Sequence, residues 1–228
     1  MNIKNNTLVL MSVGVIVLVG LAFFVFSKKD VSETLPEGEI TVLEKVNYDD
    51  GSYLFDLDTS LVVWEGKKTF VADYVDQGII YPSSGNVVFK NGIIESGSVN
   101  FDMNSMMTLS TGKDSGQDML SKHLKSADFF DTEKYPESSF VVSRVESDPS
   151  RNGSYILFGD MTIKNTSLPV SVPVSMLQVE QGVALVGEIA IDRTLWNIQF
   201  GSGKFFKNLA DNTIDDYFTI SFSLVIKE

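Results

Sequence analysis

Cysteine is absent from this 228-residue chain. That excludes disulfides, thiolate metal sites, cysteine nucleophiles and lipid attachment at an N-terminal cysteine. It leaves the redox compartment open. Histidine is almost absent too, with His123 the single example. One imidazole cannot build the usual histidine-rich zinc site. No G-x-S-x-G turn offers it a serine, so a hydrolytic triad has no support. Acids near His123 (Asp128, Asp131 and Glu133) read as turn residues rather than ligands for a hard cation. Gly201-Ser202-Gly203-Lys204 lacks the spacing of a phosphate loop. No catalytic residue, metal or cofactor is therefore expected, and the chain does not read as an enzyme. Basic residues are scarce: 18 Lys and Arg stand against 30 Asp and Glu, for a net charge of −12. Such a field repels phosphate backbones, which sets nucleic acid aside as a partner. It also disfavours laying a broad face on an anionic lipid surface.

Charge is missing altogether from Leu8 to Phe26, LVLMSVGVIVLVGLAFFVF. As a helix these 19 residues span roughly 28 Å, close to a bilayer core of about 30 Å. A cleavable signal peptide is the rival reading. Its apolar part is shorter and ends at a small-residue site, whereas cutting after Gly20-Leu21-Ala22 would expose Phe23-Phe24-Val25-Phe26. Residues 1–29 are therefore expected to form an uncleaved N-terminal transmembrane anchor. Lys4 on one side and Lys28-Lys29 on the other leave its orientation open by charge. Residues 30–51 are polar, contain Pro36 and Gly38, and read as a linker, with a short strand possible at Ile40–Val42.

Alternation dominates residues 52–228. Phe218, Ile220, Phe222, Leu224 and Ile226 share one face of the last segment, as a half-buried strand requires. Val99, Phe101 and Met103 repeat the pattern, as do Val183, Leu185, Ile189 and Ile191, with Gly187 between them. Val170, Val172, Val174 and Met176 form another set; Pro169 and Pro173 opposite them predict an edge or a bulge. Further strands are expected at Tyr53–Leu57, Leu61–Glu65, Thr69–Tyr74, Gly78–Tyr81, Asn86–Lys90, Ser139–Val145 and Tyr155–Ile163. Turn signals at Asn91-Gly92, Arg151-Asn152-Gly153 and Gln181-Gly182 separate several of them. Many short strands predict an all-β sandwich or barrel. The exception is Asp114–Asp128, where Leu120, Leu124 and Ala127 recur at helical spacing behind a capping Asp114 or Ser115. Asp215-Asp216 read as turn residues before the last strand. Sixteen phenylalanines and eight methionines, many facing inward, suit either a packed core or the lining of a ligand cavity.

The run from Met119 to Phe140, MLSKHLKSADFFDTEKYPESSF, resembles the signature of the YceI-like family of polyisoprenoid- or lipid-binding proteins. It contains His123-Leu124-Lys125-Ser126, Asp128-Phe129-Phe130-Asp131, Lys134-Tyr135-Pro136 and Phe140. Phe55-Asp56 through Ser60 and Trp64-Glu65-Gly66 resemble the family's opening strands. Gly159-Asp160-Met161-Thr162-Ile163-Lys164-Asn165 and Asp192-Arg193-Thr194-Leu195-Trp196-Asn197-Ile198 resemble two later segments. Asp76-Gln77-Gly78 stands where many relatives carry a histidine before the glycine, and Asn165 where a glycine is usual. The resemblance implies an extended, antiparallel, lipocalin-like β-barrel with one helix near its opening. It further implies an amphiphilic lipid such as an isoprenoid or fatty amide inside, an extracytoplasmic (periplasmic or cell-surface) position and a possible homodimer. Residues expected to meet the ligand are Trp64, Phe101, His123, Phe129, Phe130, Arg193 and Trp196, with Arg193 as polar handle and Trp196 as apolar wall. Two other readings stand beside lipid binding: a filled barrel acting as an interaction module, and a lipid-modifying enzyme.

Overall fold

A computed structural model describes residues 48–113, 115–147, 153–179 and 182–227. The apolar run at 8–26, the linker up to residue 47 and the strand expected at Ile40–Val42 lie outside them. Among the described residues no helix is long and apolar enough to cross a membrane.

Among the described residues nine strands and one helix follow in order: β1 (Gly51–Leu54), β2 (Leu61–Lys67), β3 (Val75–Lys90), β4 (Ile93–Ser110), α1 (Gln117–Lys125), β5 (Glu137–Ser147), β6 (Ser154–Ile163), β7 (Thr166–Val179), β8 (Gly182–Asp192) and β9 (Tyr217–Ile226). Short 3₁₀ turns at Arg193–Trp196 and Ala210–Asn212 interrupt the connection from β8 to β9. All pairings are antiparallel, in the order β1-β3-β2-β9-β8-β7-β6-β5-β4, and β4 returns to β3. The sheet therefore closes on itself. β1 and β2 pair with two successive stretches of β3, Asn86–Phe89 and Val75–Ile80, so they share one position around the ring. Between them Phe55 still bridges Ile226, and the Asp56 N–H donates to the Val225 carbonyl at 2.7 Å. Eight positions result, the size at which an interior is either filled by side chains or holds one small ligand.

The two ends differ. The lower end carries the tight β3–β4 hairpin, where Asn91 and Gly92 take φ of 52° and 72°, as a turn matched to strand twist needs. The upper end carries the longer connections, including α1. There the barrel splays. β5 joins β4 only up to Asp102, and α1 covers the upper part of β4: the Thr108 N–H donates to Ser121 Oγ at 2.8 Å and Lys125 Nζ to the Asn104 carbonyl at 2.7 Å. β8 joins β7 only from Val174 onward. Pro169 and Pro173 pair with Asp160 and Ile156 of β6; Pro169 faces the stretch of β7 with no strand on its other side and Pro173 lies where β8 begins to join, so the expected edge is real but local.

Several expected elements change. Thr69–Tyr74 is the connection between β2 and β3, not a strand. Lys67 must pair with Val75, so the chain reverses there, with Asp73 left-handed at φ 58° and Phe70 in solvent. Gly78–Tyr81 and Asn86–Lys90 are parts of one long β3, continuous through register shifts around Pro82. The helix is shorter than expected and starts behind a left-handed Gly116, with no side-chain cap from Ser115. Leu120 and Leu124 do turn to the core, against Met103 and Met106.

Four inward glycines shape the interior. A Cβ on Gly78 would meet the Trp64 indole at 2.4 Å and the Met107 carbonyl oxygen at 2.0 Å. Rings of Phe55, Phe140 and Phe222 come within 2.8, 2.8 and 2.6 Å of the Cβ positions of Gly85, Gly159 and Gly187. Each large ring thus sinks into a dent in the wall that only glycine leaves. Gly78→Ala should therefore lower unfolding stability by about 1–3 kcal/mol through overpacking. Gly66→Ala, with nothing within 4 Å of its Cβ, should change it by less than about 0.5 kcal/mol. Urea titration of the two variants checks the contrast.

Candidate ligand-binding cavity

Alternation puts the apolar face of every strand inward, and the sunken rings leave space along the middle. A cavity of about 310 Å³ occupies the barrel. It runs from Phe55, Val87 and Leu224 near the lower end, past Met103, Phe140 and Phe222, to Ile214 and Tyr217 at the upper end. Phe101, Phe130, Phe218 and Ile220 face inward yet stay only half-buried, since the surface they keep belongs to this cavity. The charged residues on its wall are Lys67, Lys68, Asp76, Arg193 and Asp215, and all five sit at the upper end.

That end is built by two connections. The Thr69 N–H donates to the Thr213 carbonyl at 3.0 Å and the Asp215 N–H to the Lys67 carbonyl at 2.9 Å, which ties the β2–β3 turn to the approach of β9. Arg193 organises the β8–β9 connection. Its Nε donates to the Asp215 carbonyl (2.9 Å), Nη1 to Ile198 (2.9 Å) and Phe200 (2.8 Å), and Nη2 to Ile214 (3.2 Å). Burial pushes its pKa down, against the opposing pull of Asp216, Asp192 and Asp215. Lys204 reaches Asp192 at 2.8 Å and Asp216 at 3.2 Å and closes the same loop from outside. Across the mouth, Asp76 accepts the Gly112 N–H at 3.1 Å beside Tyr74. Burial raises its pKa, while Gly112, Lys68, Tyr74 and Lys113 oppose the rise.

Of the seven residues named from sequence, Trp64, Phe101, Phe129, Phe130 and Arg193 meet on the cavity wall. Phe129 and Phe130 arrive there because the chain after α1 winds tightly: the Phe130 N–H donates to the Leu124 carbonyl (3.0 Å) and the Asp131 N–H to Ser126 (2.9 Å), with Asp131 at φ 52°. Trp196 and His123 do not reach the wall. Trp196, 2% exposed, packs among Ile163, Ile191 and Ile198 and donates its indole N–H to the Met161 carbonyl at 3.2 Å. It braces the splay between β7 and β8 from one layer behind. His123 is half-buried on α1, its ring edge-on to Phe129 and Phe200 and its Nε2 3.4 Å from Asp128. Arg193 spends its donors on backbone carbonyls, so its first duty is to the loop. Sequence reading overlooked Phe55, Phe140 and Phe222. The inward glycines at Gly85, Gly159 and Gly187 were the available signal.

Residues 53–226 match the model of the YceI-like domain. The chain belongs to the YceI-like family. The YceI-like barrel is also similar to the solved structure of BcnA from Burkholderia cenocepacia, with 26% identity and a TM-score of 0.57 over 75% of this chain and 98% of that one. A polyisoprenoid binding domain from Saccharophagus degradans, implicated in plant cell wall breakdown, shares the fold at 11% identity and a TM-score of 0.56, covering 78% and 99% of the two chains. The UPF0312 protein plu2095 of Photorhabdus laumondii is 41% identical over 49 residues; that match spans 24% of its length and 22% of this chain.

Two variants probe the upper end of this YceI-like barrel. Arg193→Lys keeps the charge but cannot bond four carbonyls. Leaving buried acceptors unpaired should cost about 2–4 kcal/mol, with faster amide hydrogen exchange across residues 197–216. Asp76→Asn retains an acceptor for Gly112. A carboxyl whose folded pKa is raised costs no stability below its unfolded pKa, and the full cost appears above its folded pKa. The variant should therefore gain stability on the wild type as pH rises through the carboxylate range. Denaturant melts over that range check the sign.

Proposed function

We propose that this protein binds an amphiphilic lipid with a long apolar chain, of the isoprenoid or fatty-chain type, inside its barrel. The observation that carries this reading is an apolar cavity whose charged groups are all gathered at one end. A chain entering it is relieved of about 25 cal/mol for each Å² of apolar surface removed from water. A polar head would remain among Lys67, Lys68, Asp76 and Asp215. The shared fold with a domain named for polyisoprenoid binding supports the same class of ligand. An open interior speaks against a filled barrel serving only as an interaction module. Binding requires no catalytic group.

Together with the apolar run Leu8–Phe26, this makes a membrane-tethered barrel on the extracytoplasmic side, suited to lipid transport, storage or a stress response, with homodimers as the proposed assembly. Residues 50–228, purified from a bacterial host, should carry a stoichiometric adduct in the native mass spectrum that disappears on denaturation. An organic extract should contain it as one apolar molecule. A clean apo mass, unchanged after incubation with isoprenoids and fatty amides, rejects the reading. Phe130→Asp places a charge on the cavity wall and should abolish retention while leaving the circular dichroism spectrum intact; retention at the wild-type level would remove Phe130 from the site.

A further inference from the structure

The exposed aromatic rings of the barrel are concentrated at one end. Among the described residues the exposed phenylalanines are Phe70, Phe200, Phe205 and Phe206. Phe70 stands on the β2–β3 connection and the other three on the β8–β9 connection, where Leu195 is 61% exposed as well. Hydrogen bonds make these connections one rim. Beyond the bonds from Thr69 to Thr213 and from Asp215 to Lys67, the Ile214 N–H donates to the Gly201 carbonyl at 2.8 Å. The Phe205 and Phe206 N–H groups donate to the Ser202 carbonyl at 3.2 and 3.0 Å. Residues of this rim, Lys67, Lys68, Ile214 and Asp215, line the cavity, so the rings stand on connections that border its mouth.

Among the described residues the lower end carries no exposed phenylalanine. Phe89, 1% exposed, is stacked on Tyr48 at 4.4 Å and meets Tyr53 edge-on at 5.7 Å. Lysines are distributed in the same way as the rings. Of the eleven among the described residues, only Lys90 and Lys227 belong to the lower end, so the upper end holds the side chains able to reach headgroup phosphates from an apolar contact. Clustered exposed rings beside lysines, on a chain whose overall charge disfavours broad electrostatic docking, are the pattern of shallow interfacial insertion.

We propose that this rim docks on a phospholipid bilayer, with Phe70, Phe205 and Phe206 entering the headgroup–acyl boundary and the cavity opening onto the lipid. The proposal rests on the lipid-binding reading for what passes through the mouth. A bilayer fits better than a protein partner because the rings stand on the two connections whose other residues border the mouth of an apolar cavity. The sequence also allows it. Ser27–Asn47, 21 residues, extend to about 70 Å, against a barrel height of about 45 Å for strands of this length at ordinary tilt.

The absence of cysteine makes the test clean. Phe206→Cys and, at the opposite end, Ile93→Cys each give the full chain one site for an environment-sensitive nitrobenzoxadiazole label. Both are reconstituted into phosphatidylcholine vesicles with brominated acyl chains. The label at 206 should shift to the blue and lose most of its emission, and the label at 93 should do neither. No quenching at 206, or equal quenching at both positions, overturns the proposal. So does a blue shift at 206 that needs no lipid and grows with protein concentration, which would assign the rim to a second copy of the chain. The triple variant Phe70→Ser, Phe205→Ser, Phe206→Ser should load a fluorescent isoprenoid from vesicles severalfold more slowly and reach the same final amount. An unchanged rate overturns the docking role. Quenching at 206 with no isoprenoid taken up rejects the lipid-binding reading and leaves docking standing; uptake without quenching does the reverse.

Discussion

A closed barrel of eight strand positions is narrow enough for ordinary side chains to fill, so its having an interior depends on where the largest side chains are put. Here the rings of Phe55, Trp64, Phe140 and Phe222 lie in the places that Cβ atoms would take at Gly85, Gly78, Gly159 and Gly187. Two of these pairs face each other directly across the ladder, Trp64 with Gly78 and Phe222 with Gly187. The rings stay in the wall and are counted in its thickness. Apolar area is buried without closing the lumen, and the same rings then form the surface that a ligand would touch. Strand pairing, interior volume and binding surface are therefore set together.

The upper end follows a second logic. Polar groups are needed where the barrel meets water, and a splayed sheet leaves backbone groups to satisfy. Arg193 answers the second need, gathering the carbonyls of Ile198, Phe200, Ile214 and Asp215 around one guanidinium. Trp196 answers a packing need, filling the space where β7 and β8 part. Both residues belong to the stretch Asp192–Ile198 that stands out in the sequence, and both act mainly by holding the mouth in shape. A motif can thus recur around a site because it builds the site, with few of its side chains in contact with what the site holds.

Much of the fold was legible. The alternation of β9, β8 and β7 follows directly from the sequence pattern, and so do the single helix and the Asn91-Gly92 turn. Thr69–Tyr74 misled because Phe70 and Tyr74 alternate as a strand would, while the reversal there is dictated by pairing of Lys67 with Val75, which no local pattern records. The union of two segments into β3 was hidden by Pro82 and its neighbours, which the barrel absorbs as register shifts. The start of α1 was hidden by Gly116, since a left-handed backbone replaces the expected side-chain cap. At the cavity, the Asp128-Phe129-Phe130-Asp131 segment was visible because its two rings are adjacent and conspicuous. Of the partners of the inward glycines only Trp64 was, since each ring and its glycine meet only through tertiary structure.

The parting of β7 from β8 has a consequence for the protein's behaviour in a crowd. A ladder closed all round would offer other chains nothing to pair with, but among the described residues one side of β7 is free of strand neighbours from Thr166 to Val172. The Pro173 carbonyl, already against Gly187 of β8, gives the direction, and the residues sharing it along the free stretch are Ser167, Pro169 and Ser171. One of these three positions, Pro169, therefore offers no N–H to an incoming strand. A foreign segment laid along this seam finds a short template broken in its middle, a poor seed for a growing stack of strands. The barrel can keep its seam ajar without inviting its neighbours to polymerise along it.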